Sequence, residues 1–229
     1  MSQTKEKVGT DTPTKDRIYY AKVAIVGPSG GGKSYLSKTA DKKTVGLVNI
    51  ERKPLPYKTE PFVFEGKPKT WSGFMKCIKD FGENPEITAL IIDSQTMAFN
   101  ILNKEMSQNF QGYDIYKNYN RQVYEYLELI KNIEKDIIVL SHDELVKLDE
   151  GSKVKRMATH GKEFEGKIEQ HYSIVLYTGT RLKDGRPQYF LKTFEQDTST
   201  KCPEGLFGDS LEIANDAGFI FERLQDYYS

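Results

Sequence analysis

The glycine-rich stretch from Gly27 to Ser34 constrains the fold of this chain more than any other feature. It reads GPSGGGKS and matches the pattern G-x-x-x-x-G-K-[ST] at every fixed position. The apolar run RIYYAKVAIVG leads into it and predicts a buried strand, and we expect a short helix from Ser34 to about Ala40. A strand, a glycine loop and a helix in this order are typical of a phosphate-binding loop.

The residue types in this loop suit a nucleoside triphosphate. Small residues let successive backbone N–H groups curve around phosphate oxygens, and the helix that follows adds partial positive charge. We expect Lys33 to reach the β- and γ-phosphates and the hydroxyl of Ser34 to bind Mg²⁺. A glycine-rich turn without a ligand would leave the lysine unexplained. The residues predicted to hold ATP and magnesium are Gly27, Pro28, Ser29, Gly30, Gly31, Gly32, Lys33, Ser34 and Tyr35.

Composition excludes several other classes of protein. The 229 residues include 33 Lys or Arg and 33 Asp or Glu, so no net charge attracts nucleic acid or a membrane surface. Two cysteines, Cys77 and Cys202, are too few for a disulfide framework or a four-cysteine zinc site. The sequence has no apolar run of membrane-spanning length and no signal-peptide pattern. We expect a soluble protein of a reducing cytoplasm, without a membrane partner.

The pattern of apolar runs predicts a single α/β domain. Residues 1–16 hold almost no apolar side chains and predict a disordered leader, which leaves residues 17–229 for the domain. The runs TVGLVNI, ITALIID and DIIVLSH lack polar alternation, and helical spacing separates them. Such strands predict a mostly parallel central sheet with helices on both faces. The stretch SIVLYTGTRLKDGRPQYFLKTF predicts an antiparallel hairpin at one edge, turning at Asp184 and Gly185.

Three helices are predicted beyond the glycine loop. Apolar residues recur at helical spacing from Trp71 to Phe81, and again in a longer stripe over residues 115–133. The tail NDAGFIFERLQDYY predicts a C-terminal helix, with Asn215 or Asp216 as its N-cap.

Polar side chains at predicted strand ends are the candidate catalytic groups. Asp93 ends ITALIID, where a carboxylate can hold Mg²⁺ together with Ser34. Ser94 follows it, so the carboxylate that activates water must lie elsewhere. Glu51 closes TVGLVNIE, which we expect beside the strand of the glycine loop, and His142 ends DIIVLSH as a candidate γ-phosphate sensor. The structural alternatives are a helix cap for Asp93, a surface position for Glu51 and edge packing for His142.

Together these stretches resemble the core of RecA-type P-loop ATPases. The likeness rests on GPSGGGKS, the strand ending in Glu51, LIIDS with Asp93, and IIVLSH. The chain is similar in particular to compact RecA-core nucleotide-binding proteins of bacteriophages, some of which work in single-strand annealing and recombination. The stretches YKNYNRQVYEYLELI, GKIEQHYSIVLYT and KCPEGLFGDSLEIANDAGFIFERLQDYY extend the likeness over residues 18–228. It implies a RecA-like fold and a Mg²⁺-dependent ATPase of the bacterial host cytoplasm that acts on single-stranded DNA.

The resemblance also implies where DNA would bind. RecA-type cores keep a mobile loop after the strand that would end at His142, and here that segment is DELVKLDEGSKVKRMATHGKEF. Lys153, Lys155 and Arg156 form a basic cluster in it, which can neutralise phosphates without reading bases. A solvated surface loop is the alternative interpretation. A second DNA-facing loop would span residues 104–113, although few basic residues occur there.

RecA-type ATPases build active sites between subunits, so the resemblance implies a homo-oligomer. A cation from the neighbouring subunit would stabilise charge in the transition state. Arg181, Arg186 and Lys192, on or beside the predicted hairpin, are the candidates for that role in trans. A single-strand-binding protein is a further partner that this class implies.

Two other functions fit the glycine loop. One is a nucleotide-controlled binding module that hydrolyses little ATP. The other is a small-molecule kinase acting on a nucleotide, since GPSG before GKS also occurs in guanylate kinases. A kinase of that type needs an arginine-rich lid, and the chain between residues 52 and 86 is rich in lysine and proline instead.

Overall fold

The computed structural model describes residue 17 and residues 19–147 and 151–229. The predicted leader, residues 1–16, lies outside the described residues. The strands are β1 (Lys22–Val26), β2 (Val45–Asn49), β3 (Glu65–Gly66), β4 (Ala89–Asp93), β5 (Asp136–Ser141), β6 (Asp143–Lys147), β7 (Lys153–Met157), β8 (Ile174–Lys183), β9 (Arg186–Lys192), β10 (Leu206–Asp209) and β11 (Glu212–Ala214). The helices are α1 (Trp71–Glu83), α2 (Gln95–Asn109), α3 (Tyr113–Asn132) and α4 (Ala217–Tyr227), with short 3₁₀ helices at Ser34–Thr39 and Ile168–His171.

The central sheet has eight strands in the order β11-β9-β8-β1-β5-β4-β2-β3. The strands from β8 to β3 run parallel, whereas β9 pairs antiparallel with β8 and β11 antiparallel with β9. This arrangement confirms the predicted α/β fold with a mostly parallel sheet and an antiparallel hairpin at one edge. One expectation is wrong: β2, which precedes Glu51, does not adjoin β1, because β5 and β4 lie between them.

Both faces of the sheet are buried, which explains the absence of polar alternation in its strands. On β1, Ala24 and Val26 pack into a core with helices α1, α2 and α3. Val23 and Ile25 pack on the opposite face with the 3₁₀ helix after the glycine loop and with α4. No helix among the described residues is both long enough and apolar enough to cross a membrane.

The β8–β9 hairpin turns where the sequence predicts. Asp184 and Gly185 have φ values of 52° and 73°, the left-handed conformations of a tight two-residue turn. Lys183 is paired with Arg186 across the turn, so both side chains stand at the tip of the hairpin.

Two segments expected to be DNA-facing loops are largely regular structure. After His142, β6 and β7 form an antiparallel hairpin, in which Val154 and Met157 of β7 are buried. Residues 148–150 of that segment lie outside the described residues. The segment from Lys104 to Asn109 continues helix α2, whose Ala98, Phe99 and Leu102 are buried at helical spacing. The second loop is therefore confined to the short connection between α2 and α3.

Candidate active site

The glycine loop leaves β1 in a conformation that only glycine allows at several positions. Gly30 and Gly32 have φ values of 76° and 87°. A Cβ atom at Gly27 would overlap the side chain of Thr178, and one at Gly32 would overlap the ring of Tyr189. The backbone N–H groups of Gly32, Lys33 and Ser34 donate to no acceptor within the described part of the chain. Such unpaired donors in a tight loop form a cradle for an anion.

Lys33 is buried and folds back over its own loop. Its Nζ donates to the carbonyl oxygens of Gly27 and Pro28, at 2.7 Å each. Burial lowers the pKa of Lys33, and the nearby carboxylates of Asp93, Asp143 and Glu51 partly oppose that shift. The ammonium group of Lys33 therefore lies beside the cradle and, among the described residues, is hydrogen-bonded only to neutral carbonyl oxygens. Phosphate oxygens can replace these acceptors.

Asp93 and Ser34, the two residues proposed to hold magnesium, lie next to each other at the end of β4. The Ser34 hydroxyl donates a hydrogen bond to the Asp93 carboxylate. Burial raises the pKa of Asp93; the neighbouring Glu51 also raises it, and the Ser34 hydrogen bond and Lys33 lower it. One hydroxyl and one carboxylate are hard oxygen ligands, the type that Mg²⁺ takes from a protein when phosphates supply others. Among the described residues no group of three or more His, Cys, Asp or Glu could hold a metal by itself.

Glu51 lies in the turn after β2 rather than on the strand itself. Asn49, which ends β2, accepts a hydrogen bond from the Arg52 N–H through its side-chain oxygen at 2.9 Å and thereby fixes the turn. The Glu51 carboxylate forms an ion pair of 2.7 Å with Lys53, and the Ser94 hydroxyl lies 3.5 Å from it. Although two strands separate β2 from β1, the turn carries Glu51 to the same cleft as Lys33.

His142 follows β5 and faces the same cleft. Its Nε2 lies 4.0 Å from the Glu51 carboxylate. Burial lowers the pKa of His142, and the positive charge of Lys33 lowers it further, so the imidazole is neutral at pH 7. Its backbone is fixed on both sides, because the N–H donates to Thr96 Oγ1 at 2.8 Å and the carbonyl accepts from Ala158 at 2.8 Å.

One cleft of about 1090 Å³ brings most of the predicted site residues together. Its lining includes Ser29, Gly30, Gly32, Lys33, Ser34, Tyr35, Glu51, Asp93 and His142. The tip of the β8–β9 hairpin, with Lys183 and Arg186, forms the facing wall within the same chain. The volume is at the upper end of the range for small-molecule sites.

The three candidate cations on the hairpin differ in their surroundings. Arg181 is paired with Glu212 at 2.7 Å and stacks on Phe190, and Lys192 is paired with Glu195. The side chain of Arg186 has no hydrogen bond or ion pair within the described residues, and it lines the cleft of its own chain.

The basic cluster stands apart from the cleft. Lys153, Lys155 and Arg156 lie on β7, and none of them lines the cleft. Lys153 is exposed, whereas Lys155 has a carboxylate partner, Glu195, at 3.8 Å.

Asn215 is a residue of the site that the sequence pattern did not indicate. The N-cap of α4 is Asp216, whose side chain accepts from the Phe219 N–H at 2.8 Å. Asn215 is thus left to line the cleft and to donate to the Gly32 carbonyl at 2.8 Å, which ties the tail of the chain to the glycine loop. Asn215 and Asp216 both suit an N-cap, and only one can fill it, so the sequence already indicated that the other has a different role. Tyr189 was also missed; it packs against Gly32, with its ring 5.6 Å from that of Tyr35.

These features define a P-loop nucleotide-binding protein. They are a glycine loop with unpaired amides, a buried lysine, and a serine–aspartate pair at the carboxyl ends of parallel strands. Residues 20–201 match the protein family described as AAA domain, and the chain belongs to that family. No curated protein matches the chain. Membership implies nucleotide binding that is typically Mg²⁺-dependent, and NTPase activity.

Asp93→Asn tests the electrostatic description of the metal site. Because burial raises the pKa of Asp93 above its ordinary 3.8, ionising it in the folded protein costs stability as the pH rises from 3.8 through the raised pKa. We expect the melting temperature of the ligand-free variant to exceed that of the wild type by about 2–4 °C at pH 8, and by less at pH 5. The variant should also lose the stabilisation that Mg²⁺-ATP gives the wild type.

Differential scanning fluorimetry at both pH values, with and without Mg²⁺-ATP, measures these changes. Asp80→Asn is the matched control, since Asp80 is an exposed carboxylate paired with Lys76 on helix α1. A ligand-free Asp93→Asn protein that melts below the wild type at both pH values would contradict the description.

Proposed function

We propose that this P-loop NTPase is a RecA-type, Mg²⁺-dependent ATPase encoded by a bacteriophage, which acts on single-stranded DNA in recombination or annealing. The observation that carries the ATPase part is the cleft shared by Lys33, Ser34, Asp93, Glu51 and His142. The DNA part rests on the resemblance of the sequence and on the basic residues Lys153, Lys155 and Arg156 of strand β7, in the hairpin that follows His142.

The proposed reaction is hydrolysis of the γ-phosphate by water that Glu51 orients and deprotonates. Lys33 exchanges its two carbonyl acceptors for phosphate oxygens, and the free amides of Gly32, Lys33 and Ser34 hold the same anion. Ser34 and Asp93 are the residues that would hold Mg²⁺, which neutralises phosphate charge when bound. His142, being neutral, donates a hydrogen bond from its ring N–H to a γ-phosphate oxygen without adding charge.

The Glu51 carboxylate is restrained by its ion pair with Lys53, and its proposed role requires this ion pair to break. The ion pair with Lys53 is largely exposed on the lysine side, so it contributes little to stability and breaks at low cost. Release from Lys53 frees the carboxylate to turn toward the attacking water.

Glu51→Gln separates catalysis from binding. The amide keeps the shape of the side chain but cannot take a proton, so we expect ATP turnover to fall at least about 100-fold. The affinity for Mg²⁺-ATP should stay within about threefold, because Glu51 is not part of the phosphate cradle. Phosphate release measures turnover, and isothermal titration calorimetry measures affinity.

The control is Glu83→Gln, which removes an exposed carboxylate at the end of α1 and should change neither quantity. Unchanged turnover in Glu51→Gln would remove Glu51 from the mechanism. A wild-type protein that binds ATP without measurable turnover would favour the nucleotide-controlled binding module.

Arg186 is the proposed source of the additional cation. Because Arg186 lines the cleft of its own chain, we expect it to act in cis, and Arg186→Ala should lower turnover at least about tenfold. Arg181→Ala, on the same hairpin but paired with Glu212, is the control and should stay within about twofold.

Mixing two variants with different defects distinguishes action in cis from action in trans. Lys33→Ala retains Arg186 but lacks the phosphate-binding lysine, and Arg186→Ala has the reverse defect. If Arg186 acts in cis, an equimolar mixture recovers no turnover beyond the sum of its parts. Recovery to about a quarter of the wild-type rate would show donation between subunits in a homo-oligomer.

Single-stranded DNA is expected to stimulate ATP turnover. With the probe oligo(dT), the rate should rise with DNA and with protein concentration if assembly on DNA completes the active form. Lys153→Gln/Lys155→Gln should weaken DNA binding and reduce the slope of log K against log [salt] by about 1 for each phosphate that the variant no longer neutralises.

Lys76→Gln/Lys131→Gln is the control, since both lysines are exposed and already paired with carboxylates on their own helices. Turnover that is independent of DNA, together with equal DNA affinity in both double variants, would contradict the DNA role and leave the ATPase intact.

A further inference from the structure

A second, smaller cavity adjoins the nucleotide-binding cleft and shares Glu51 with it. Its volume is about 370 Å³, which is sufficient for a small ligand. Three segments distant in sequence form it: the turn after β2, the approach to α1 and one face of α2. Neither the proposed hydrolysis nor the basic hairpin uses this cavity.

Three cations from these three segments line the small cavity: Arg52, Lys69 and Lys104. None of their side chains forms a hydrogen bond or ion pair within the part of the chain that the structure describes. A sphere of the cavity's volume is roughly 9 Å across, so the three charges border one small space. All three residues are exposed, and three such cations around one small space make its potential positive, which favours an anion there.

The two carboxylates that also border this space already have partners. Glu51 is paired with Lys53 at 2.7 Å, and Glu105 accepts a hydrogen bond from the Trp71 N–H at 3.0 Å. Three cations against two carboxylates leave the lining with a net positive charge.

The backbone at Arg52 is held in an unusual conformation. Its φ of 53° is left-handed, which a residue other than glycine rarely adopts. Asn49, itself buried, maintains it by accepting from the Arg52 N–H at 2.9 Å. The Arg52 side chain is thereby presented to the small cavity next to Glu51.

We propose that this cavity binds the phosphate group of a phosphate ester, held by Arg52, Lys69 and Lys104. A guanidinium matches two phosphate oxygens in a fork, and the two ammonium groups add point charges. Ile50, Met97 and Ile101 supply apolar surface on which a sugar or base of the ligand can lie. The phosphate belongs either to the backbone of a single strand or to a free nucleotide.

Glu51 lines both cavities, so binding in the small cavity can influence ATP turnover. This connection rests on the proposed role of Glu51. An anion in the small cavity repels the Glu51 carboxylate toward the nucleotide-binding cleft, where the attacking water is held. Occupancy should therefore accelerate hydrolysis, while the binding itself does not depend on ATP.

The test measures binding of three probes without ATP: fluorescent oligo(dT), thymidine monophosphate and inorganic phosphate. Arg52→Gln/Lys104→Gln should bind at least one probe about tenfold more weakly than the wild type. Lys76→Gln/Lys131→Gln, which removes equal charge from paired lysines elsewhere, should stay within about twofold. A melting temperature equal to that of the wild type shows that the double variant is folded. Lys69→Gln, a single substitution at an exposed residue, tests the third cation of the site separately.

The probe that responds identifies the source of the phosphate. A loss confined to oligo(dT), with a shallower salt dependence, supports a backbone phosphate. A loss for thymidine monophosphate supports a free nucleotide, and phosphate transfer from ATP to that nucleotide would then replace hydrolysis as the function. Equal affinities of both double variants and of Lys69→Gln for all three probes would overturn the site, whatever the rate of ATP turnover.

Discussion

The site depends on the separation of two buried, opposite charges, Lys33 and Asp93, at the carboxyl ends of the central strands. Lys33 and Asp93 are each only 7% exposed, yet they do not form an ion pair with each other within the described part of the chain. Lys33 is held by loop carbonyls and Asp93 by the Ser34 hydroxyl. A direct ion pair would satisfy both groups and close the site. Kept apart, each has a pKa shifted toward its neutral form, and a magnesium-bound triphosphate would relieve both.

The strand order determines which residues around Lys33 and Asp93 are connected by hydrogen bonds. Since β5 lies between β1 and β4, its end delivers His142 between the glycine loop and Asp93. Thr96, at the start of α2, bonds both the Ser141 hydroxyl at 3.0 Å and the His142 N–H at 2.8 Å. The His142 carbonyl in turn accepts from the Ala158 N–H, directly after the β6–β7 hairpin. The proposed contact of His142 with the γ-phosphate would therefore be connected to that hairpin through hydrogen bonds.

Much of the fold and part of the site follow from local sequence signals. The glycine loop, the buried strands and the hairpin turn could be predicted, because each depends on residues close together in the sequence. The order of strands could not, since apolar runs carry no information about their neighbours, and so β2 was wrongly expected beside β1. Helix α2 was hidden by a run of polar residues after Leu102. Asn215 and the cluster of Arg52, Lys69 and Lys104 depend on contacts between distant segments, which a single sequence does not reveal.

The position of Glu51 has a consequence for control of the reaction. A carboxylate placed directly after Asp93 would be fixed by the N-terminus of α2, whose N-cap is Ser94. Glu51 instead lies in a turn, where it is paired with Lys53, borders the small cavity and has His142 Nε2 at 4.0 Å. Each of these neighbours can change its charge environment when a ligand binds. If Glu51 is the base, as we propose, its position would make hydrolysis sensitive to ligands outside the nucleotide-binding cleft, whereas a base fixed on the helix would sense the nucleotide alone.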